Sequence, residues 1–186
     1  MCEAKLSVTI GAVLWSTNPD QSADRMVIVL MGVTGCGKTT VGEVLAGQLQ
    51  WTFLDADNFH PPVNKEKMNK GIPLTDEDRI PWLRALAARI VEANSKGESC
   101  VLACSALKRS YRQMIRGEET NVNFVYLNGP QEVIADRLEK RANHFMNPAL
   151  LKSQFNTLEE PNNAVYVSIE QGPDSIVSEI RRELRL

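Results

Sequence analysis

Apolar residues fall into short runs, separated by stretches in which they recur every three to four positions. MVIVLM (26–31), WTFLD (51–55), CVLACS (100–105), VNFVYL (122–127) and AVYVSI (164–169) have strand length and little polar alternation, the pattern of strands covered on both faces. Between them the period is helical. In PWLRALAARIVEA (81–93), Trp82, Leu83, Leu86, Ile90 and Val91 share one face and Pro81 suits a first turn. PQEVIADRLEKRA (130–142) and PDSIVSEIRREL (173–184) open with proline in the same way. Repeated strand, helix, strand implies parallel pairing through right-handed crossovers. The expected fold is α/β: doubly wound, three-layer α/β/α, with a five-stranded parallel sheet.

Length narrows this to one domain. A chain of 186 residues, 43% of them hydrophobic, suits a single sizeable core, placed at residues 26–186. Residues 1–25 fit least well. LSVTIGAVLW (6–15) has signal-peptide size, but MCEAK before it lacks a clear positive region and no small-residue cleavage site follows. It is also too short to span a bilayer. With the linker-like STNPDQSADR (16–25), it is expected to be a loosely attached extension or to follow a start codon placed too far upstream, rather than an export signal.

A formal net charge of -2 provides no global basic field, so neither nucleic acid nor a membrane is an expected partner. Phosphate chemistry must then come from local clusters. Cys2, Cys36, Cys100 and Cys104 have no paired metal-ligand spacing; Cys100 and Cys104 read as small core residues, a reduced, cytoplasmic pattern.

The strongest chemical signal follows the first run. GVTGCGKT (32–39) fits G-x-x-x-x-G-K-[ST] at every fixed position, between an apolar strand and the helical TTVGEVLAGQL. The loop Gly32, Val33, Thr34, Gly35, Cys36 and Gly37, with Lys38, Thr39 and Thr40 opening the helix, is a nucleotide-phosphate cradle of P-loop type. Lys38 reaches the outer phosphates of ATP, and Thr39 offers its hydroxyl to Mg2+. Cys36 is a small loop residue, or a thiol activated by the helix N-terminus.

A guanine-specific switch would carry an N-K-x-D element, which is absent here, and CVLACSALK lacks the terminal acidic residue of a motor ATPase strand. A small metabolite kinase fits best. FLDADNFHP (53–61) then acquires a purpose, since phosphoryl transfer to an alcohol needs a proton acceptor and a hold on magnesium. Asp57 is assigned to the substrate hydroxyl and Asp55, through water, to the metal, on the expectation that both project from one extended segment beside the first strand. The competing reading makes Asp57 merely a helix cap.

DADNFHPPVNKEKMNKGIPLTDEDRIPWL, CSALKRSYR and NHFMNPALLKSQFNTLEEP together resemble the gluconokinase family, P-loop kinases with a shikimate-kinase-like fold. The resemblance runs from about residue 26 to the end. It implies transfer of the ATP γ-phosphate to the terminal hydroxyl of D-gluconate, and it implies a homodimer. It also implies a mobile lid around residues 137–147, in which Arg141 neutralises transition-state oxygens and Arg137 packs on the nucleotide base, with His144 a weaker candidate. Basic residues late in a helix also favour its dipole without any such role. LEEPNNA (158–164) is expected beside adenine.

Gluconate is an anionic polyol, so its site needs cations and short polar groups. Arg79 is a bidentate carboxylate binder; Ser105, Lys108, Tyr111 and Arg112 follow the third strand; His60 and Lys67 follow Asp57. The competing readings are an ion pair of Arg79 with Asp76 or Asp78, and a solvated face for Lys108 and Arg112. Shikimate-type kinases, nucleoside-monophosphate kinases and nucleotide-dependent binding modules remain alternatives.

Overall fold

The computed structural model describes residues 25–140 and 148–186. Its strands β1 (Val27–Met31), β2 (Thr52–Asp55), β3 (Cys100–Ala103), β4 (Val122–Asn128) and β5 (Val165–Ser168) form one parallel sheet, ordered β2-β3-β1-β4-β5. The helices described are α1 (Lys38–Leu49), α2 (Pro62–Asn69), α3 (Asp76–Lys96), α4 (Arg109–Arg116), α5 (Gln131–Glu139), α6 (Pro148–Thr157) and α7 (Pro173–Leu184). The expected three-layer α/β/α fold is what the chain forms.

Alternation along the strands assigns the layers. Val27, Val29 and Met31 face α3 and α4, where they meet Trp82, Leu83, Leu86, Ile90, Tyr111 and Ile115. Ile28 and Leu30 point the other way, into a core with Val41 and Leu45 of α1, Ile134 and Leu138 of α5, and Ile176 and Ile180 of α7. Every residue of β1 and β3 is buried, as their unbroken apolar runs require. β2 and β5 are edge strands and only partly covered, contrary to the expectation for all five.

Helix α3 corrects two further expectations. It begins at Asp76, not at Pro81, because Thr75 and Asp78 form a capping box and three acidic residues occupy its first turn. Pro81 therefore lies inside the helix. The carbonyl its missing N–H leaves free belongs to Glu77, which is exposed and open to water. Val91, about 100° round the helix from Ile90, stands 52% exposed rather than in the core.

The phosphate loop and its two carboxylates form a candidate active site

β1 delivers the chain into the loop 32–37 at the carboxyl edge of the sheet, the edge at which open α/β sheets bind ligands. Gly32, Gly35 and Gly37 have φ of 141°, 80° and 103°, a region that side chains disfavour. Space is restrictive too: a Cβ on Gly32 would lie 2.9 Å from the Leu127 carbonyl oxygen, and one on Gly35 would lie 2.7 Å from Leu138 Cγ. Cys36 is fully buried beneath the loop, which makes it a small packing residue rather than an accessible thiol.

Gly37 is the N-cap of α1, which has neither a side-chain cap nor an acidic residue in its first turn. The contrast with the self-capped α3 is informative. The first N–H groups of α1, from Lys38, Thr39 and Thr40, and its positive end are left for an external anion. Lys38 Nζ folds across the loop and donates to the carbonyls of Gly32 at 3.0 Å and Val33 at 2.9 Å, which holds the ammonium at the mouth of the cradle.

Asp55 and Asp57 meet this cradle by a route the sequence did not suggest. β3 lies between β1 and β2, so the second strand is not beside the first. Asp55 ends β2 and its Oδ2 lies 3.4 Å from the donating Thr39 hydroxyl. Its Oδ1 accepts the Asp57 N–H at 3.0 Å and caps a 3-10 turn, Ala56–Phe59. The two carboxylates therefore do not project from one extended segment: the cap is Asp55, and it aims Asp57. Trp82 Nε1 donates to the Ala56 carbonyl at 2.7 Å and fixes the peptide between them.

Burial, and next the neighbouring Asp55, raises the Asp57 carboxyl above its ordinary range, while Lys38 and Lys65 pull it down. Asp57 nevertheless remains exposed by area, so water reaches the carboxylate that surrounding atoms crowd. A raised carboxyl is the better proton acceptor.

His60 stacks on Trp82 with ring centres 4.3 Å apart and planes 11° from parallel. Burial first, then Arg79 and Lys65, lowers it to about 4, so it is neutral at physiological pH. Among the described residues its buried Nδ1 has no partner. With its proton on Nε2, the neutral ring is a hydrogen-bond donor.

The remaining cations divide. Lys67 Nζ is bound to both oxygens of Asp78, at 2.7 and 2.9 Å. Lys108 Nζ lies 2.6 Å from Asp76 Oδ2, and Tyr111 donates to Oδ1 of the same carboxylate. Those two hydrogen bonds hold the Asp76 carboxyl below its ordinary value. Arg79 lies 3.9 Å from Asp76, and its Nη1 donates to the Leu74 and Thr75 carbonyls. Arg79 and Lys108 both stand over the Tyr111 ring, at 5.8 and 5.5 Å, which gathers two cations, a phenol and a carboxylate between α3 and α4.

Arg112 is 8% exposed, so it is not a solvated face, and its Nη1 donates to the carbonyls of Ala106 and Leu107, 2.9 Å each. Ala106 has φ 44°, so Arg112 braces a strained turn. Arg137 Nη2 donates to the Ile169 carbonyl just past β5. The 158–164 segment is tied to the start of α4: the Glu159 N–H donates to Leu107 O and the Arg109 N–H to Glu159 Oε2. Arg141 and His144 lie outside the described residues. Lys65, Asp76 and Trp82 were not singled out as site residues from the sequence. No local pattern distinguishes Lys65 from Lys67, and Trp82 reads only as core.

The shikimate kinase family model matches residues 34–183. Gluconokinase of Gluconobacter oxydans (strain 621H) is 45% identical over 161 residues, covering 85% of this chain and 90% of its own. The thermosensitive gluconokinase of Escherichia coli (strain K12) is 47% identical over 133 residues, 72% of this chain and 71% of its own. The crystal structure of a gluconokinase from Sinorhizobium meliloti 1021 superposes with a TM-score of 0.79 at 43% identity, covering 86% of this chain and 91% of that one. An uncapped phosphate cradle, faced by two carboxylates and followed by a corner of cations, thus sits on a chain of this identity and coverage, which belongs to the gluconokinase family and has the fold of shikimate kinase.

Proposed function

We propose that this protein transfers the γ-phosphate of ATP to the terminal hydroxyl of D-gluconate, giving 6-phospho-D-gluconate and ADP. The observation that carries the reading is the chain of contacts from Thr39 through Asp55 to Asp57, with Lys38 reaching across the loop beside them. Asp57 accepts the proton of the attacking hydroxyl, or orients that hydroxyl, as the oxygen bonds to phosphorus and the bond to ADP breaks. Lys38 and the α1 N-terminus hold the phosphates. The His60 Nε2–H is suited to a hydroxyl of the polyol, and Arg79 and Lys108 to its carboxylate. Arg112 shapes the turn beside them, and Lys67 orders α2 against α3. Arg137 is assigned to the base, and Arg141 to the transferred phosphoryl group within a lid spanning about residues 137–147.

The donor set also fits Mg2+. Among the described residues no group of three or more His, Cys, Asp or Glu side chains could hold a metal. Magnesium in phosphoryl-transfer enzymes commonly takes one or two protein oxygens, waters and the phosphates. Thr39 and, through water, Asp55 would provide the protein's share, and the ion when bound supplies charge neutralisation at the phosphate oxygens. The unit is assigned to residues 26–186, acting as a homodimer in the cytoplasm. Cys36, Cys100 and Cys104 are free, as suits a reducing compartment, and no described helix is long and apolar enough to cross a membrane.

Coupled ATP turnover against gluconate, shikimate, other sugar acids and AMP, with and without magnesium, tests the reading. Magnesium-dependent turnover with gluconate is expected. Turnover with another acceptor and none with gluconate would overturn it.

A further inference from the structure

Two helices remote in sequence from the phosphate loop grip it from one side. Leu138 and Ile134 of α5 press on Gly35, where a Cβ would meet them at 2.7 and 3.1 Å. From α6, Leu151 is buried in the core that includes Val33 and Cys36. The same helix supplies a polar contact: the Thr34 N–H donates to Gln154 Oε1 at 2.7 Å, across 120 residues of chain.

The loop's other backbone donors are held less closely. The Gly32 N–H goes to the Ser105 carbonyl at 3.3 Å and the Cys36 N–H to the Val33 carbonyl at 3.4 Å. Both are long, and the Thr34 bond is the shortest of the three. It fixes the loop just before Gly35, where the chain enters the left-handed conformation. An amide is the suitable acceptor, because it satisfies the N–H without placing a negative charge beside the phosphates.

We propose that Gln154 is a positioning residue of the kinase reaction: its side-chain carbonyl holds the phosphate loop in its nucleotide-binding shape and so sets ATP affinity from α6. The proposal rests on reading loop 32–37 as the ATP site. By linkage, bound ATP stabilises the Gln154–Thr34 contact by the same factor by which the contact strengthens ATP binding.

The test compares Gln154→Met, which keeps the packing volume and removes the acceptor, with Gln154→Ala, which removes both. Amide exchange at Thr34 is followed by NMR in the nucleotide-free full-length protein. ATP affinity is measured by calorimetry, alongside both KM values, kcat and Tm. Gln154→Met is expected to lose protection at Thr34 and to raise Kd and KM for ATP about three- to tenfold, the worth of one hydrogen bond. KM for gluconate and Tm should stay near wild type, a split that a purely structural role would not produce. Gln154→Ala should add a fall in Tm. Protection retained at Thr34 in Gln154→Met would overturn the proposal, as would ATP affinity within twofold of wild type once protection is lost. A parallel loss of Tm and both KM values in Gln154→Met would also overturn it. Wild-type protein that binds no ATP would instead overturn the reading of the loop, whereas the Thr34 exchange would still report on the contact.

Discussion

Acidification should destabilise this enzyme through one identifiable side chain. His60 is lowered from 6.5 to about 4, and it is stacked on Trp82 with Arg79 and Lys65 nearby. Between those values the unfolded chain binds a proton that the folded protein refuses. The stability His60 contributes is therefore fully present above about 6.5 and is lost as the pH falls toward about 4. The gap corresponds to about 3 kcal/mol at 1.36 kcal/mol per decade. Solvent at the exposed Lys65 and the half-buried Arg79 screens the two cations, which reduces the expectation to about 1–2 kcal/mol. Urea unfolding of wild type and His60→Phe at about pH 7.5 and about pH 4.5 measures it, because carboxylates titrating in both proteins cancel in the difference. The phenylalanine keeps the stack and cannot titrate, so it should lose less stability on acidification by that amount. Equal losses in the two proteins would refute the buried imidazole that resists protonation.

Asp57→Asn should lower kcat by about 100-fold or more and leave ATP affinity nearly intact, as loss of a general base does; wild-type kcat would sink the assignment. Because its carboxyl is raised, the acid limb of the wild-type rate profile should lie above 3.8, in the direction of neutral pH. Trp82→Phe removes the donor to Ala56 O, so it should cost about 1–2 kcal/mol in urea unfolding and lower kcat by loosening the peptide between the carboxylates. Arg112→Met leaves two carbonyls of a strained turn without their donor, and about 1–3 kcal/mol of stability should go with them. Loss confined to KM for gluconate, with stability unchanged, would return Arg112 to the substrate site.

The parts of the site legible in the sequence are those whose geometry is dictated within a few residues. GVTGCGKT specifies backbone with positive φ at fixed steps, and the structure adopts it at Gly32, Gly35 and Gly37. Apolar runs likewise revealed β1 and β3, because a strand covered on both faces leaves no polar alternation. The true start of α3 was missed for a local reason as well. Its first turn is capped by polar residues and has no hydrophobic period to read, so Pro81 looked like the beginning. The partners of Arg112 and Lys67 could not be read for a different reason. A cation in a sequence carries no mark of its partner, and theirs turned out to be backbone carbonyls and Asp78.

By itself the amino-acid sequence determined the alternating α/β order, the phosphate loop and the nearness of Asp55 and Asp57, because period, glycine placement and short spacing act over one or two turns of chain. Only the tertiary structure decided that Asp55 caps the turn bearing Asp57, that β3 separates β2 from β1, and that His60 is neutral. It also decided which cations are already matched. Lys108 and Asp76 are 32 residues apart, and Thr34 and Gln154 are 120 apart. Their partnership follows from the packing of whole helices on a sheet, and desolvation, which sets the charge of His60, exists only once that packing is complete.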